Sequence, residues 1–342
     1  MPTAAVIGCG DISIVHLEAI SSLGADLVAV ADTDPELARA TGARLGVPAY
    51  TDHRQLLAEI RPDVLHVCTP HDQHVSVALD AIEAGVHVIT EKPLAHTIAE
   101  GERLVAAAEG APVKVAVCLQ NRYNAPNARM KELLDSGELG AVQGASAGVY
   151  WHRNAAYYEA KPWRATWARS GGGLLINQAI HTVDLLQWLL GDVEQVRGHA
   201  ATHVLGDAIE VEDTAELILD HSGGARSVMF ATNAHSVNAP VFVEVLTERA
   251  TLTMRGDLRV QYTDGRTEHV AERIATSSGR AYWGISHELL IGDFYDKLED
   301  PEPFWISPAE AAKSLAILKS IYAQSPDLGA PAEAVALPVG AH

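Results

Sequence analysis

Basic side chains are in short supply: 25 Lys and Arg stand against 44 Asp and Glu, a formal net charge of −19 over 342 residues. So acidic a surface repels phosphate backbones and anionic lipid, which argues against nucleic acid and membranes as partners. It still permits one small anion held by local backbone N–H groups. Long apolar runs are also missing, and without a stretch of about 18 apolar residues no spanning helix is expected. Cysteine is rare and odd in number (Cys9, Cys68, Cys118), with neither a CxxC nor a Cys/His metal spacing. Reduced thiols and no bound metal are therefore expected. The opening Met1-Pro2-Thr3-Ala4-Ala5-Val6-Ile7 enters a strand-like segment at once, with no basic region or cleavable signal pattern, so a cytoplasmic location is expected.

What is present is an ordinary globular composition, 48% hydrophobic and 20% charged, in a chain long enough for two cores. Over residues 1–120, short β-branched runs alternate with amphipathic stretches. Strands are expected at Ala4–Ile7, Leu27–Ala31, Val64–Val67, Val86–Ile89 and Val113–Val117, and helices at Ile12–Leu23, Pro35–Leu45, Gln73–Ala84 and Ile98–Ala108. The strands are continuously apolar, as in a parallel sheet covered on both faces, so a doubly wound α/β (Rossmann) domain is predicted. Residues 121–325 change character. A helix at Ala128–Leu134, a strand at Val142–Tyr150, a long loop at Trp151–Arg169 and a helix at Leu174–Leu190 lead into strands at Val196–His203, Thr214–Leu219, Ala225–Thr232, Val241–Thr247 and Ala250–Met254. Short links such as Ser222-Gly223-Gly224 suit an antiparallel sheet, so an α+β domain with a large, mainly antiparallel sheet is predicted. Helices at His287–Leu298 and Pro308–Ala323 close it, and residues 326–342, rich in Ala and Pro, read as a loose tail.

Gly8-Cys9-Gly10-Asp11-Ile12-Ser13 follows the first strand and opens the first helix. In a dinucleotide site the first glycine makes the tight turn, the second admits the pyrophosphate, and the helix N-terminus faces the phosphates. The third glycine is here Ser13, small enough for close packing. Asp32 ends the second strand, where an acid meets the adenosine ribose hydroxyls and repels a 2′-phosphate, favouring NAD over NADP. A helix cap is the bland alternative for Asp32, but Thr33 and Asp34 lie nearer to Pro35. Thr69-Pro70-His71-Asp72-Gln73-His74 follows the Val64–Val67 strand at the carboxyl edge of the sheet. Thr69 and Pro70 are the better cofactor contacts there, with His74 behind them.

Glu91-Lys92-Pro93 occupies the next carboxyl edge. Together with the glycine loop, Asp32 and the segment Gly171-Gly172-Gly173-Leu174-Leu175-Ile176-Asn177-Gln178-Ala179-Ile180-His181-Thr182-Val183-Asp184, it resembles the Gfo/Idh/MocA oxidoreductases, the group of glucose–fructose oxidoreductase and inositol dehydrogenase. The resemblance covers nearly the whole chain. It implies that Lys92 lies beside the substrate hydroxyl or carbonyl that exchanges a hydride with nicotinamide, with Glu91 and Lys92 lining the cofactor site. An ammonium beside a positive nicotinamide gives up its proton readily and can take the alcohol's proton. Asn177, His181, Asp184 and Trp188, spaced i, i+4, i+7 and i+11, form one stripe on an aliphatic helix. The resemblance makes His181 an acid/base or substrate-orienting group, with Asp184 able to fix its tautomer. Family members of the inositol branch usually carry Asp where this chain has Asn177, which cannot accept a proton and would only hydrogen-bond a hydroxyl.

Aromatic and basic residues around the stripe suggest a polyol or sugar, since aromatic faces stack on C–H surfaces while Arg, His and Asn satisfy hydroxyls. Trp163, Arg164, Tyr150, His152 and Arg122 are the candidates, with Tyr282, Trp283 and His287 weaker; an interface or core role stays open for each. The expected activity is NAD(H)-dependent hydride transfer at a hydroxyl or carbonyl carbon of a sugar, cyclitol or derivative. An NAD-dependent glycosidase of the same family and a non-catalytic sugar or cofactor sensor remain alternatives. The resemblance also implies a homodimer or homotetramer.

Overall fold

The computed structural model describes residues 1–273 and 285–337, and Tyr282 and Trp283 lie outside them. The chain divides into two compact units, Met1–Gln120 with Arg280–Ala312, and Asn121–Gly279 with Lys313–His342.

The first unit is built on a six-stranded sheet: β1 (Thr3–Ile7), β2 (Asp26–Ala31), β3 (Ala49–Tyr50), β4 (Val64–Val67), β5 (His87–Thr90) and β6 (Val115–Val117). The order is β3-β2-β1-β4-β5-β6 and every pairing is parallel. This is the predicted Rossmann sheet, with its switch point between β1 and β4. All four residues of β4, His66 included, are buried, which is why the strand shows no polar–apolar alternation. The helix Pro35–Leu45 falls where expected, with Asp34 Oδ1 accepting the Glu36 and Leu37 amides as its cap. Strand β3 and the helix His53–Glu59 were not foreseen.

The single span 121–325 needs correction. Helix Ser286–Asp296 buries Leu290, Ile291 and Phe294 and packs against helix Ser13–Ser22 of the first unit. The Val117 amide then donates to Ile306 O at 3.1 Å along the outer edge of β6. Apolar complementarity to the parallel sheet's own layer outweighs chain order here.

The second unit carries an eight-stranded sheet: β7 (Val142–Tyr150), β8 (Val193–Ala201), β9 (Thr214–His221), β10 (Arg226–Thr232), β11 (Phe242–Thr247), β12 (Ala250–Arg255), β13 (Asp257–Tyr262) and β14 (Thr267–Val270). Its order is β14-β13-β12-β11-β7-β10-β9-β8, antiparallel except for β7 beside β10. The hairpin β13–β14 is an addition to the expected strands.

Three local readings change. Residues 151–169, expected as a loop, hold helices at Ala155–Glu159 and Trp167–Ser170 and a 3₁₀ turn at Pro162–Ala165. The helix expected at Leu174–Leu190 begins with a π turn, Leu175–Ala179, before the α-helix Ile180–Leu190. The described part of the tail is tied back, since Glu333 Oε1 lies 2.7 Å from the buried Lys319 Nζ. Among the described residues no helix is long and apolar enough to cross a membrane.

Candidate active site

In the first unit the candidate cofactor residues gather at the carboxyl ends of β1, β2, β4 and β5. Gly8 has φ +90°, and a Cβ there would come within 2.5 Å of the Cys68 carbonyl oxygen, so only glycine lets the chain turn so close to the end of β4. A Cβ on Gly10 would meet no protein atom within 4 Å, which leaves its backbone open to a phosphate. Ser13, in place of the third glycine, is buried and donates its hydroxyl to Gly10 O at 2.7 Å. Asp32 Oδ2 accepts the Cys9 amide at 2.8 Å, and Oδ1 accepts the Asp34 amide at 2.9 Å. The carboxylate thereby ties the glycine loop to the end of β2, while capping falls to Asp34. Asp11 is exposed and Ile12 half-buried at the helix entry. Thr69 Oγ1 is buried with no protein partner beside the half-exposed Pro70. A glycine cradle, an acid after β2 and an unsatisfied hydroxyl after β4 fit a bound dinucleotide.

His74 is a different case from a cofactor ligand. It is fully buried, with Nδ1 2.8 Å from Pro93 O and Nε2 3.0 Å from Thr69 O, so it joins the turn after β4 to the turn after Lys92. Lys92 itself is half-buried.

Glu91, buried at 5% exposure, heads a chain of side chains that sequence reasoning missed. Its Oε1 lies 3.1 Å from His16 Nε2 and 3.1 Å from His287 Nε2. His16 Nδ1 is 2.9 Å from His66 Nδ1, and His66 Nε2 is 2.7 Å from Tyr295 Oη. Burial holds the His66 pKa well below the ordinary value; it also lowers that of His16, although the Glu91 carboxylate opposes it. With both rings neutral, the donors run one way. The Tyr295 hydroxyl donates to His66 Nε2, His66 Nδ1–H to His16 Nδ1, and His16 Nε2–H to Glu91. Burial pushes the Glu91 carboxyl upward, but these histidine donors outweigh it and hold its pKa well below the carboxylate range. Lys92 thus follows an ionised, doubly anchored neighbour.

In the second unit, Gly171–Leu190 is buried throughout except at Asn177, His181 and Trp188. These three belong to the expected stripe and are half-buried. Asp184 differs. It is 1% exposed, with Oδ2 accepting Arg122 Nε at 2.9 Å and Oδ1 accepting Arg122 Nη2 at 2.7 Å and the Ser314 hydroxyl at 3.1 Å. Asp184 and Arg122, expected at the substrate, instead form one buried bidentate pair. Asp184 lies on the same regular α-helix as His181 and Trp188, and the Arg122 guanidinium that covers it, also 5.5 Å from the Trp188 ring centroid, is what buries it.

Trp163 and Arg164 are brought together with Tyr157, Arg153 and Trp151. The Arg164 guanidinium lies 4.7 Å from the Tyr157 ring centroid and 5.5 Å from that of Trp163. Gln178 Nε2 donates to Tyr157 Oη at 3.2 Å, linking this cluster to the π turn. His152 is exposed, its Nδ1 2.9 Å from His235 O. Tyr150 goes elsewhere. It shares the exposed face of the sheet with Phe230 and Phe242, at 6.0 and 5.9 Å between ring centroids, while Ala145, Ala147 and Val149 point to the buried face.

With this geometry in view, the chain matches two family models: the oxidoreductase family with NAD-binding Rossmann fold over residues 3–119, and the GFO/IDH/MocA C-terminal domain over residues 127–253. It is 31% identical to a D-apiose dehydrogenase from Paraburkholderia graminis over 268 residues, 75% of this chain and 68% of that protein. It is 33% identical to an inositol 2-dehydrogenase from Burkholderia lata, over 61% of this chain and 63% of that protein. Among solved structures, the WlbA dehydrogenase from Bordetella pertussis in complex with NADH and UDP-GlcNAcA has a TM-score of 0.82 at 32% identity, covering 95% of this chain and 96% of that one. The chain belongs to the Gfo/Idh/MocA oxidoreductase family and is an NAD-dependent oxidoreductase.

Proposed function

We infer that this chain transfers a hydride between NAD(H) and a hydroxyl-bearing carbon of a sugar, cyclitol or sugar derivative. The observation that carries the reading is that Asn177 and His181 are among the few half-buried positions of the otherwise buried Gly171–Leu190 segment. Relatives acting on D-apiose and on inositol support the substrate class. NAD supplies a hydride acceptor or donor when bound. Gly8, Cys9, Gly10, Asp11 and Ile12 would cradle its phosphates, Asp32 its ribose hydroxyls, and Thr69 and Pro70 the crevice wall. Lys92 Nζ takes the hydroxyl proton as the carbon gives up its hydride, and returns it in reduction. His181 and Asn177 orient the hydroxyls; Trp163 and Arg164 offer a stacking face and donors.

The experiment is turnover of a panel of cyclitols, aldoses, anhydrosugars and uronic acids with NAD and NADP, read by absorbance of the reduced nicotinamide. Asp32→Ala is expected to lower the NAD-over-NADP preference by about tenfold or more, through loss of a charged hydrogen-bond acceptor. An unchanged preference contradicts the ribose role.

The open face of the second sheet supports a homodimer, the simplest of the expected assemblies. Ile218, Val228, Phe230 and Leu246 are 37–45% exposed there, on strands β9, β10 and β11 and on one face by their register. Contiguous exposed apolar surface of this kind marks an interaction site. Phe230→Asp is expected to give a monomer in sedimentation analysis; an unaltered oligomer places the interface elsewhere.

A further inference from the structure

We propose that Glu212 is a positioning residue that holds the Gly173–Leu175 turn and so sets the register of the π turn and helix bearing Asn177 and His181. The inference rests on the orienting role given to His181.

The first amides of a helix have no partners within it. Here three consecutive ones are taken by a single residue: Gly173 N donates to Glu212 Oε2 and Leu175 N to Oε1, both at 2.8 Å, and Leu174 N to the Glu212 carbonyl at 3.1 Å. The Tyr322 hydroxyl adds a bond to Oε1 at 2.8 Å. From the other side, Lys319 Nζ donates to Gly171 O at 3.0 Å. The triple glycine follows from this clamp. A Cβ on Gly172 would overlap the Tyr322 hydroxyl, and one on Gly173 the Glu212 carbonyl oxygen. The close approach these glycines permit is therefore to the protein's own clamp. A π turn is a costly departure from α-geometry and persists only where its surroundings enforce it. Glu212, fully buried and bonded to the residues that enter that turn, provides the enforcement.

Its carboxyl is also poised to titrate. Burial pushes its pKa up from 4.5 to about 7, against the opposing Leu175 amide, Tyr322 hydroxyl and Gly173 amide. A raised carboxyl pKa means the closed turn holds the proton more tightly than the opened one, so the clamp weakens as pH rises through about 7. Lys319, bonded to Gly171 O, and its partner Glu333 are charged groups beside this turn, and the Tyr322 phenol is a titratable one.

Glu212→Gln keeps the shape but places an NH₂ against an amide donor, so the two side-chain bonds to the turn cannot both form. In the full-length protein it is expected to lower kcat about tenfold, as displacement of an orienting group does, with the KM for NAD unchanged. Exchange protection at Gly173 and Leu175 is expected to fall with rising pH in wild type and to be pH-independent in the variant. Tyr322→Phe, which spares the carboxylate and covers the case in which Glu212→Gln fails to fold, is expected to lower kcat about threefold by loss of one hydrogen bond. Wild-type kcat in both variants overturns the inference. His181→Asn separates the two ideas. Wild-type activity in that variant sinks the functional reading itself, whereas an impaired His181→Asn beside unimpaired Glu212→Gln and Tyr322→Phe sinks only the positioning role.

Discussion

Lys92→Ala is expected to lower kcat on the best substrate by about a thousandfold, the mid-range for removing a general acid–base. NAD affinity, measured by nucleotide fluorescence quenching or calorimetry, should change little, since the glycine loop and Asp32 do not depend on Lys92. The size of the effect follows from how firmly the local backbone is held. On one side of Lys92, Glu91 is fixed by His16 and His287; on the other, the Pro93 carbonyl is fixed by His74. A base at a defined place is worth far more than a mobile one, because orientation is already set before reaction. A variant oxidising the substrate at the wild-type rate would remove Lys92 from the chemistry.

Glu91→Gln should cost both activity and stability. Both histidine donors point at Oε1, so a carboxamide keeps an acceptor there but loses the charge that strengthens each bond. We expect a loss of about 2 kcal/mol at neutral pH, the scale of hydrogen bonds to a buried ionised group, read by urea unfolding, with kcat reduced about tenfold through displacement of Lys92. The pH dependence has a definite sign. Glu91's folded pKa is depressed below its ordinary 4.5, so its stabilisation is present above that value and is lost as pH falls toward the folded pKa. The stability gap between wild type and Glu91→Gln should therefore narrow on acidification. A gap that is absent at pH 7, or that widens in acid, would contradict an ionised Glu91.

The parallel sheet was readable because its strands are covered on both faces and so lack polar–apolar alternation: Val64–Val67 is apolar but for His66 and buried at every position. Strand β3 has only two residues and β14, Thr-Glu-His-Val, carries one apolar side chain, so neither gives a periodic signal, whereas β13 does alternate polar with apolar side chains over Asp257–Tyr262, a strand period that the expected elements left unused. The glycine loop and Asp32 could be read because their chemistry is local. The histidine chain could not: His16 and His66 are 50 residues apart, and only the pairing of β1 with β4 and the helix after β1 bring their rings together. A histidine inside an apolar segment, such as Val64-Leu65-His66-Val67, was the one available signal. Glu212 sits among acidic neighbours in Glu210-Val211-Glu212-Asp213 and looks like a solvated charge. Its burial against a turn 37 to 39 residues away is purely tertiary. Asp184 misled for a similar reason: helical spacing places it beside His181 and Trp188 but gives no sign of Arg122, 62 residues away in sequence, whose guanidinium covers it.

The central claim is hydride transfer from a substrate carbon to NAD. Its most direct measurement uses the best sugar or cyclitol found in the panel, deuterated at the reacting carbon, with mass analysis of the nicotinamide product. One deuterium per reduced nicotinamide is expected, formed rapidly by wild type and about a thousandfold more slowly by Lys92→Ala. Reduced nicotinamide carrying only solvent hydrogen, or no reduced nicotinamide with any member of the panel, would contradict it.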